Sequence, residues 1–385
     1  MNRWARSECD RVAEFDTGRS SCLARPGYGC SSACCPGPME AKCAGQKDAR
    51  TAFTSRLPSA RARPGQREQG SQGHADLRAM AVTALTLREV VAALESLYPL
   101  HTASSWDRVG LVSGDLDQSV SLVHFAVDPT LAVIDEARAA GADLLVTHHP
   151  LLLRGVHSVA TSSAKGASVT SLIVNGIALY VAHTNADVAS PGVSDALAGA
   201  CGLVDVEPLL GGAGAGAGTG SGDTTGTSAT AGVGRVGSLV RPQTLREFAR
   251  HLSTVLPPAA AGIRVAGPAD ALVSRVAVVG GAGDDLFDAV RASGVDVYVT
   301  ADLRHHPALE AREEARGGTP YLVDAGHWAT EWVWLESARS ELVRELAGRG
   351  TSLDTHICTL RTDPWDFVVG AASSDSTSDI TGGTP

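Results

Sequence analysis

Aromatic side chains are scarce: 6 Trp, 5 Tyr and 6 Phe make up 4% of 385 residues, against 42 glycines. The core must therefore be built mostly from Ala, Val and Leu, which suits one α/β unit or two small ones. No apolar run approaches the roughly 18 to 20 residues that cross a bilayer, so no membrane-spanning helix is expected. The first residues, MNRWARSECDRVAEF, lack the continuous apolar stretch of a secretory signal, and a cytoplasmic protein is expected. No C-x-x-C pair is present. Six of the 8 cysteines (Cys9, Cys22, Cys30, Cys34, Cys35 and Cys43) crowd the first 43 residues with no histidine before His74, which disfavours a zinc module there. Lysine is almost absent, 3 of 32 basic residues, a bias from which nothing about function follows.

Negative charge is unevenly spread. Residues 1–80 hold 13 basic and 8 acidic side chains, whereas residues 81–385 hold 19 and 34. An acidic surface repels phosphate backbones and anionic lipids, so nucleic acid is not an expected partner. A local cationic site made by metal ions stays compatible with it.

Composition divides the chain into five parts. Residues 1–80, rich in Arg, Ser, Pro and Gly, read as a disordered low-complexity extension. All three methionines, Met1, Met39 and Met80, lie in it, and periodic sequence begins just after with LTLREVVAALESLYP, so the natural start is expected at or near Met80. Residues 81–210 form a first α/β half, 211–234 a Gly-rich linker or loop, 235–365 a second α/β half and 366–385 a disordered tail.

Within the halves, apolar runs of 4 to 7 residues such as LVHFAV, ADLLVT, IALYVAH, RVAVVGG, DVYVTAD and YLVDAG alternate with helical patterns, which favours layered α/β structure with mixed sheets. IDEARAAGADLLVT and FDAVRASGVDVYVT match at 7 of 14 positions without a gap, and each leads within a few residues to H-H-P. Packing rules alone produce similar helix-to-strand units, but no packing rule demands paired histidines after a strand. Two related halves are expected.

Metal-competent side chains sit where strands end, the place an α/β sheet reserves for chemistry. His148 and His149 follow ADLLVT, His183 and Asp187 follow IALYVA, Asp302, His305 and His306 follow DVYVT, and His327 and Glu331 follow YLVDAG; His124 lies inside a strand. His183 with Asp187 and His327 with Glu331 are both i, i+4, a spacing that puts two ligands on one helix face about 5 to 6 Å apart at Cβ. Imidazole with carboxylate suits zinc, iron, manganese or nickel more than calcium or magnesium. Adjacent His148 and His149 point apart on extended backbone, so each can hold one of two ions if the chain bends at Pro150. Each element alone is more often a plain surface or core feature; four strand ends together favour a dinuclear site, set in the cleft between the halves.

Four blocks, WDRVGLVSGD, DLLVTHHPLL, AHTNADVASPGVSDALA and DAGHWATE, resemble, in order, the motifs of the dinuclear-metal-centre hexameric proteins, also called Nif-three-like or GTP cyclohydrolase 1 type 2 homologs. The resemblance spans residues 90–360. It implies metal ligands at His148, His149, Asp187, His327 and Glu331, with His183 left to proton transfer or to a supporting position, and a ring-shaped homo-hexamer. VYVTADLRHHPALEARE is similar to the family's T-G-D block, with Ala301 where glycine is usual, which puts the turn before Asp302 in question. Arg108 and Ser194 stand where the family carries asparagine. The stretch between Asp187 and His327 is too short for the extra central domain of longer members, so the short form is expected.

Two divalent ions against two carboxylates leave positive charge, so an anionic small-molecule substrate is expected, with His183 or His306 moving protons. The reading is a metal-dependent hydrolase of a nucleotide or phosphorylated substrate; the alternative is a non-catalytic metal-binding hexameric scaffold or metal-handling protein. No Walker-type loop is present, and GGAG at Gly280–Gly283 is the one segment that could bind phosphate through backbone N–H groups.

Overall fold

Thr86 opens the first helix. In the computed structural model its hydroxyl accepts from the Glu89 N–H while the Glu89 carboxylate reaches back to the Thr86 N–H at 2.8 Å, so the pattern LTLREVVAALESLYP starts with a capping box. The structure describes residues 85–211 and 230–370, all within the unit Arg78–Pro385. The expected extension at 1–80, most of the Gly-rich tract and the tail beyond 370 lie outside the described residues.

The element order is α1 (Leu87–Leu97), β1 (Gly110–Ser113), β2 (Leu122–Ala126), α2 (Leu131–Ala140), β3 (Leu144–Thr147), α3 (Ala164–Val174), β4 (Ala178–Val181), α4 (Thr184–Val188), α5 (Val193–Ala200), β5 (Leu203–Gly211), β6 (Gly232–Thr244), α6 (Leu245–Val255), β7 (Arg264–Ala266), β8 (Leu272–Ala282), α7 (Phe287–Ala292), β9 (Val297–Ala301), α8 (His305–Glu314), β10 (Tyr321–Asp324), α9 (His327–Trp332), α10 (Trp334–Gly348) and β11 (Asp354–Ile357). Two mixed sheets result, one ordered β1-β4-β3-β2-β11 and the other β5-β6-β8-β9-β10-β7. Strands β2, β3 and β4 run parallel in the first, as β8, β9 and β10 do in the second. Each sheet takes one strand from the other half's stretch of sequence: β5 joins the second and β11 the first. Among the described residues no helix is long and apolar enough to cross a membrane.

The internal repeat has a physical basis. Gly141 and Gly294 occupy the same position in the two copies, and both take φ near +70° (75° and 66°), where a side chain would be strained. The Asp143 carboxylate accepts from the Ser121 and Leu122 N–H groups and the Asp296 carboxylate from those of Ser274 and Arg275, so each tethers its strand to the start of the preceding parallel one. A strand-to-helix unit is thus locked at the same two residues twice.

The main core, shared by both sheets, is Val-, Leu- and Ala-rich as the composition demands, with Tyr98, Phe125, Tyr180, Phe248 and Trp334 among its large members. One charge is buried with it. Arg235 on β6, 1% exposed, donates to both Asp195 oxygens at 2.6 and 2.7 Å and to the carbonyls of Gly232, Gly234 and Ala189. Asp195 also accepts from the Gly192 N–H at the head of α5, so this cluster fixes α5 against β6. Replacing Arg235 by Met should cost about 3 to 5 kcal/mol in denaturant unfolding, because it strands a carboxylate and three carbonyls; a cost under about 1 kcal/mol would show that the cluster carries little.

Candidate metal centre

Four imidazoles converge at the carboxyl ends of β3, β4 and β10, and each has its Nδ1 already engaged. His148 Nδ1 lies 2.9 Å from the Ala182 carbonyl, His149 Nδ1 2.7 Å from Asp128, His183 Nδ1 2.9 Å from Asp107 and His327 Nδ1 2.8 Å from Asp302. A ring so held keeps Nδ1–H as the donor and turns Nε2 into the pocket, the arrangement that orients histidine toward a cation. Three of those Nε2 atoms meet Glu331. His148 is 3.4 Å and His327 3.0 Å from Oε1, and His149 is 3.0 Å from Oε2; Asp187 Oδ1 stands 3.8 Å from His148 Nε2.

Glu331 is 3% exposed, and its Oε2 makes no properly directed hydrogen bond. His149 Nε2 and His327 Nε2 face one another at 3.2 Å. Separations of 3.0 to 3.8 Å between these nitrogens and oxygens match the edges of a coordination polyhedron, roughly 3.3 Å for tetrahedral bonds of 2.0–2.1 Å. The ligand atoms of His148, His149 and His183, and those of His149, His327 and Glu331, form two groups within 4.8 Å. The donor set fits divalent metal.

Backbone geometry makes the room. At Gly281, φ is +66°, and a Cβ there would lie 2.3 Å from Glu331 Oε1 and 3.1 Å from His327 Nε2. The GGAG segment is thus a wall of this pocket at the end of β8. The Gly281 N–H donates to Thr330 Oγ1, so it is not free to hold phosphate as the sequence suggested. The missing glycine before Asp302 is compensated: Ala301 ends β9 in extended form and Asp302 itself takes φ +54°, a conformation aspartate tolerates.

The electrostatics are those of a pocket without cations. Burial opposes charge on His149, yet Glu331 and Asp128 lift it to about 11; burial opposes charge on His327, yet Asp302 and Glu331 lift it to about 10. Burial would raise Glu331, but His149 and His148 hold it well below the usual carboxylate range. Burial pushes Asp187 up. Asp107 is lowered although burial works against it, because His183 and Thr184 both donate to it.

The five residues His148, His149, Asp187, His327 and Glu331 are therefore brought together, with His183 at their side. His306 is not. It opens α8 beside His305, both are exposed, and the two rings pack on each other at 5.1 Å. The repeat aligns Thr300 with Thr147, so the places of His148 and His149 fall to Ala301 and Asp302, and the second H-H-P begins four residues later on a helix turned to solvent. The i, i+4 pair His327 and Glu331 lies within one helix and meets at 3.0 Å, whereas of His183 and Asp187 only the aspartate is inside its helix. His183 caps α4 with φ −113° and ψ −108°, outside the helix, and its ring turns toward Asp107. Asp107 and Asp128 escaped the sequence reading; Asp128 had a visible signal, a carboxylate one residue past a buried strand.

The family model described as Duf34/NIF3 (NGG1p interacting factor 3) matches residues 85–364. A Streptomyces coelicolor protein named GTP cyclohydrolase 1 type 2 homolog is 51% identical over 290 residues, 75% of this chain and 97% of that one. A Mycobacterium bovis protein of the same name is 39% identical, covering 73% and 97%. Among solved structures, a Bacillus cereus protein related to NIF3 superposes with a TM-score of 0.65 at 29% identity, covering 74% of this chain and 99% of that one.

Proposed function

We propose that this chain, which belongs to the Duf34/NIF3 family, holds two divalent metal ions in the pocket and uses them to hydrolyse an anionic, nucleotide-like or phosphorylated substrate. The observation that carries the reading is the buried Glu331 carboxylate, faced by three imidazole nitrogens whose other nitrogens are tied. His148, His149, Asp187, His327 and Glu331 would hold the metal, zinc, iron or manganese by donor type. Metal bound there polarises a substrate oxygen and lowers the pKa of water.

The chain's own part is orientation and proton movement. Asp107, 6% exposed, receives the His183 ring, the Thr184 N–H and hydroxyl and the Arg108 N–H, so its carboxylate cannot turn. It fixes His183 with the proton on Nδ1 and Nε2 open to accept one, the form a general base needs. His183 stays partly accessible, and the 57% exposed Trp106 meets its ring edge-on at 5.9 Å. A planar base could lie along that indole at the rim of the pocket. The name of the relatives supports guanine-ring opening of GTP with loss of formate as one member of this substrate class. A ring-shaped hexamer belongs to the same reading, and sedimentation of the full chain checks it.

Full-length protein loaded with zinc, iron or manganese should release formate or phosphate from a panel of nucleotides and phosphoesters. His183→Asn should keep its metal and lose roughly 10²- to 10⁴-fold in kcat. If metal-loaded wild type turns over none of them, the enzymatic reading fails and a metal-binding scaffold is left.

A further inference from the structure

Away from the pocket, on the edge of the first sheet, lies a second group of metal-competent side chains. His124 on β2 and His356 on β11 are register partners in a parallel ladder, so their side chains leave the same face. Alternation confirms the face: Val123, Phe125 and Ile357 pack into the core between the sheets, whereas Ala126 and Cys358 pack on the α2 side. Helix α2 covers this face and lowers Glu136 onto the pair.

The imidazoles stack at 4.7 Å and 21°, with their Nδ1 atoms 3.2 Å apart. His124 is fully buried, and its Nε2 has no hydrogen-bond partner; Glu136 Oε2 is 3.9 Å away, too far for one. Glu136 is held by the Cys358 thiol, which donates to Oε2 at 2.8 Å. One ligand atom from each of His124, Glu136 and His356 falls within 4.8 Å of the others.

Hydrogen bonding alone leaves this cluster unresolved. A neutral His124 has one proton for two nitrogens. If that proton sits on Nε2, a buried N–H has no acceptor; if it sits on Nδ1, a buried lone pair has no donor. A protonated ring would still leave the Nε2 N–H without an acceptor in hydrogen-bond reach, Glu136 Oε2 being 3.9 Å away. A cation among the three groups removes the conflict.

We infer that His124, Glu136 and His356 form a second, structural site for one divalent first-row transition cation of the zinc type, separate from the pocket at the strand ends. Two imidazoles and a carboxylate supply three ligands, and the exposed His356 gives an entry path and room for water. Cys358 orients the carboxylate from outside through its thiol hydrogen bond. The site clips the edge strand β11, and with it the segment that follows. Thr362 in that segment donates to Asp128, the carboxylate that orients His149. Metal here holds the chain's last described strand in place and steadies one partner of the pocket.

The test is zinc stoichiometry on full-length protein, stripped and then dialysed against buffered zinc, in wild type and in a Glu331→Gln background. His356→Ala should remove one equivalent of zinc per chain in both backgrounds, and Glu136→Gln should do the same; neither side chain packs in the apolar core. Zinc should also slow proteolysis after β11 in the parent proteins and not in the two variants. Because the Glu331→Gln background disables the pocket, failure of that reading is told apart from failure of this one. Equal zinc content in His356→Ala and its parent, in either background, overturns the site.

Discussion

Glu331→Gln should weaken divalent metal binding in the strand-end pocket at least ~100-fold and abolish hydrolysis, with the fold intact. Glu331 is reached by His148, His149 and His327, and no other carboxylate oxygen in the pocket is so placed; Asp187 touches the group only at 3.8 Å from His148. Glutamine fills the same volume, so Gly281 still clears it, but it brings an amide where a buried negative charge stood. Losing a supporting residue of a metal site typically costs 10- to 100-fold in affinity, and losing the carboxylate that three imidazoles face should cost more. Elemental analysis after equilibrium dialysis reads the loss, and far-UV circular dichroism reads the fold. Wild-type occupancy of the pocket in Glu331→Gln would remove the central claim about this site.

Some of that arrangement was legible in the sequence and some was not, for reasons tied to distance along the chain. The two-halved α/β fold showed through because Gly141 and Gly294, and Asp143 and Asp296, are forced by local geometry and so reappear at fixed spacing. His327 and Glu331 sit on one real helix, α9, so the spacing rule applied. His183 and Asp187 have the same spacing, but the helix there begins one residue later, so His183 is set by its cap and by Asp107. Closeness in sequence to the strand end points to His306, but the fold puts it exposed in the first turn of α8. Asp107 and Asp128 act on histidines 76 and 21 residues away, across strands whose register only the fold sets. The His124–His356 pair, 232 residues apart, was invisible for the same reason.

Metal uptake by the pocket should release protons, and affinity should rise steeply with pH. In the metal-free pocket His149 is lifted to about 11 and His327 to about 10, so both hold a proton on the ring through the neutral range. Each must give up that proton before its Nε2 can bind a cation. Up to two protons leave per chain, which corresponds to about 100-fold in affinity per pH unit between pH 7 and 9. Stability has the opposite slope. Both folded values lie above the ordinary histidine value of ~6.5, so the protons stabilise the metal-free fold fully below that pH, and the contribution fades as pH rises through about 10 to 11. The gain in Tm on adding metal should therefore be larger at pH 9 than at pH 6. Calorimetric titration at pH 7 in buffers of different ionisation enthalpy counts the protons directly. A binding enthalpy that does not depend on the buffer, together with an affinity flat from pH 7 to 9, would mean that His149 and His327 are not the groups the cation displaces a proton from.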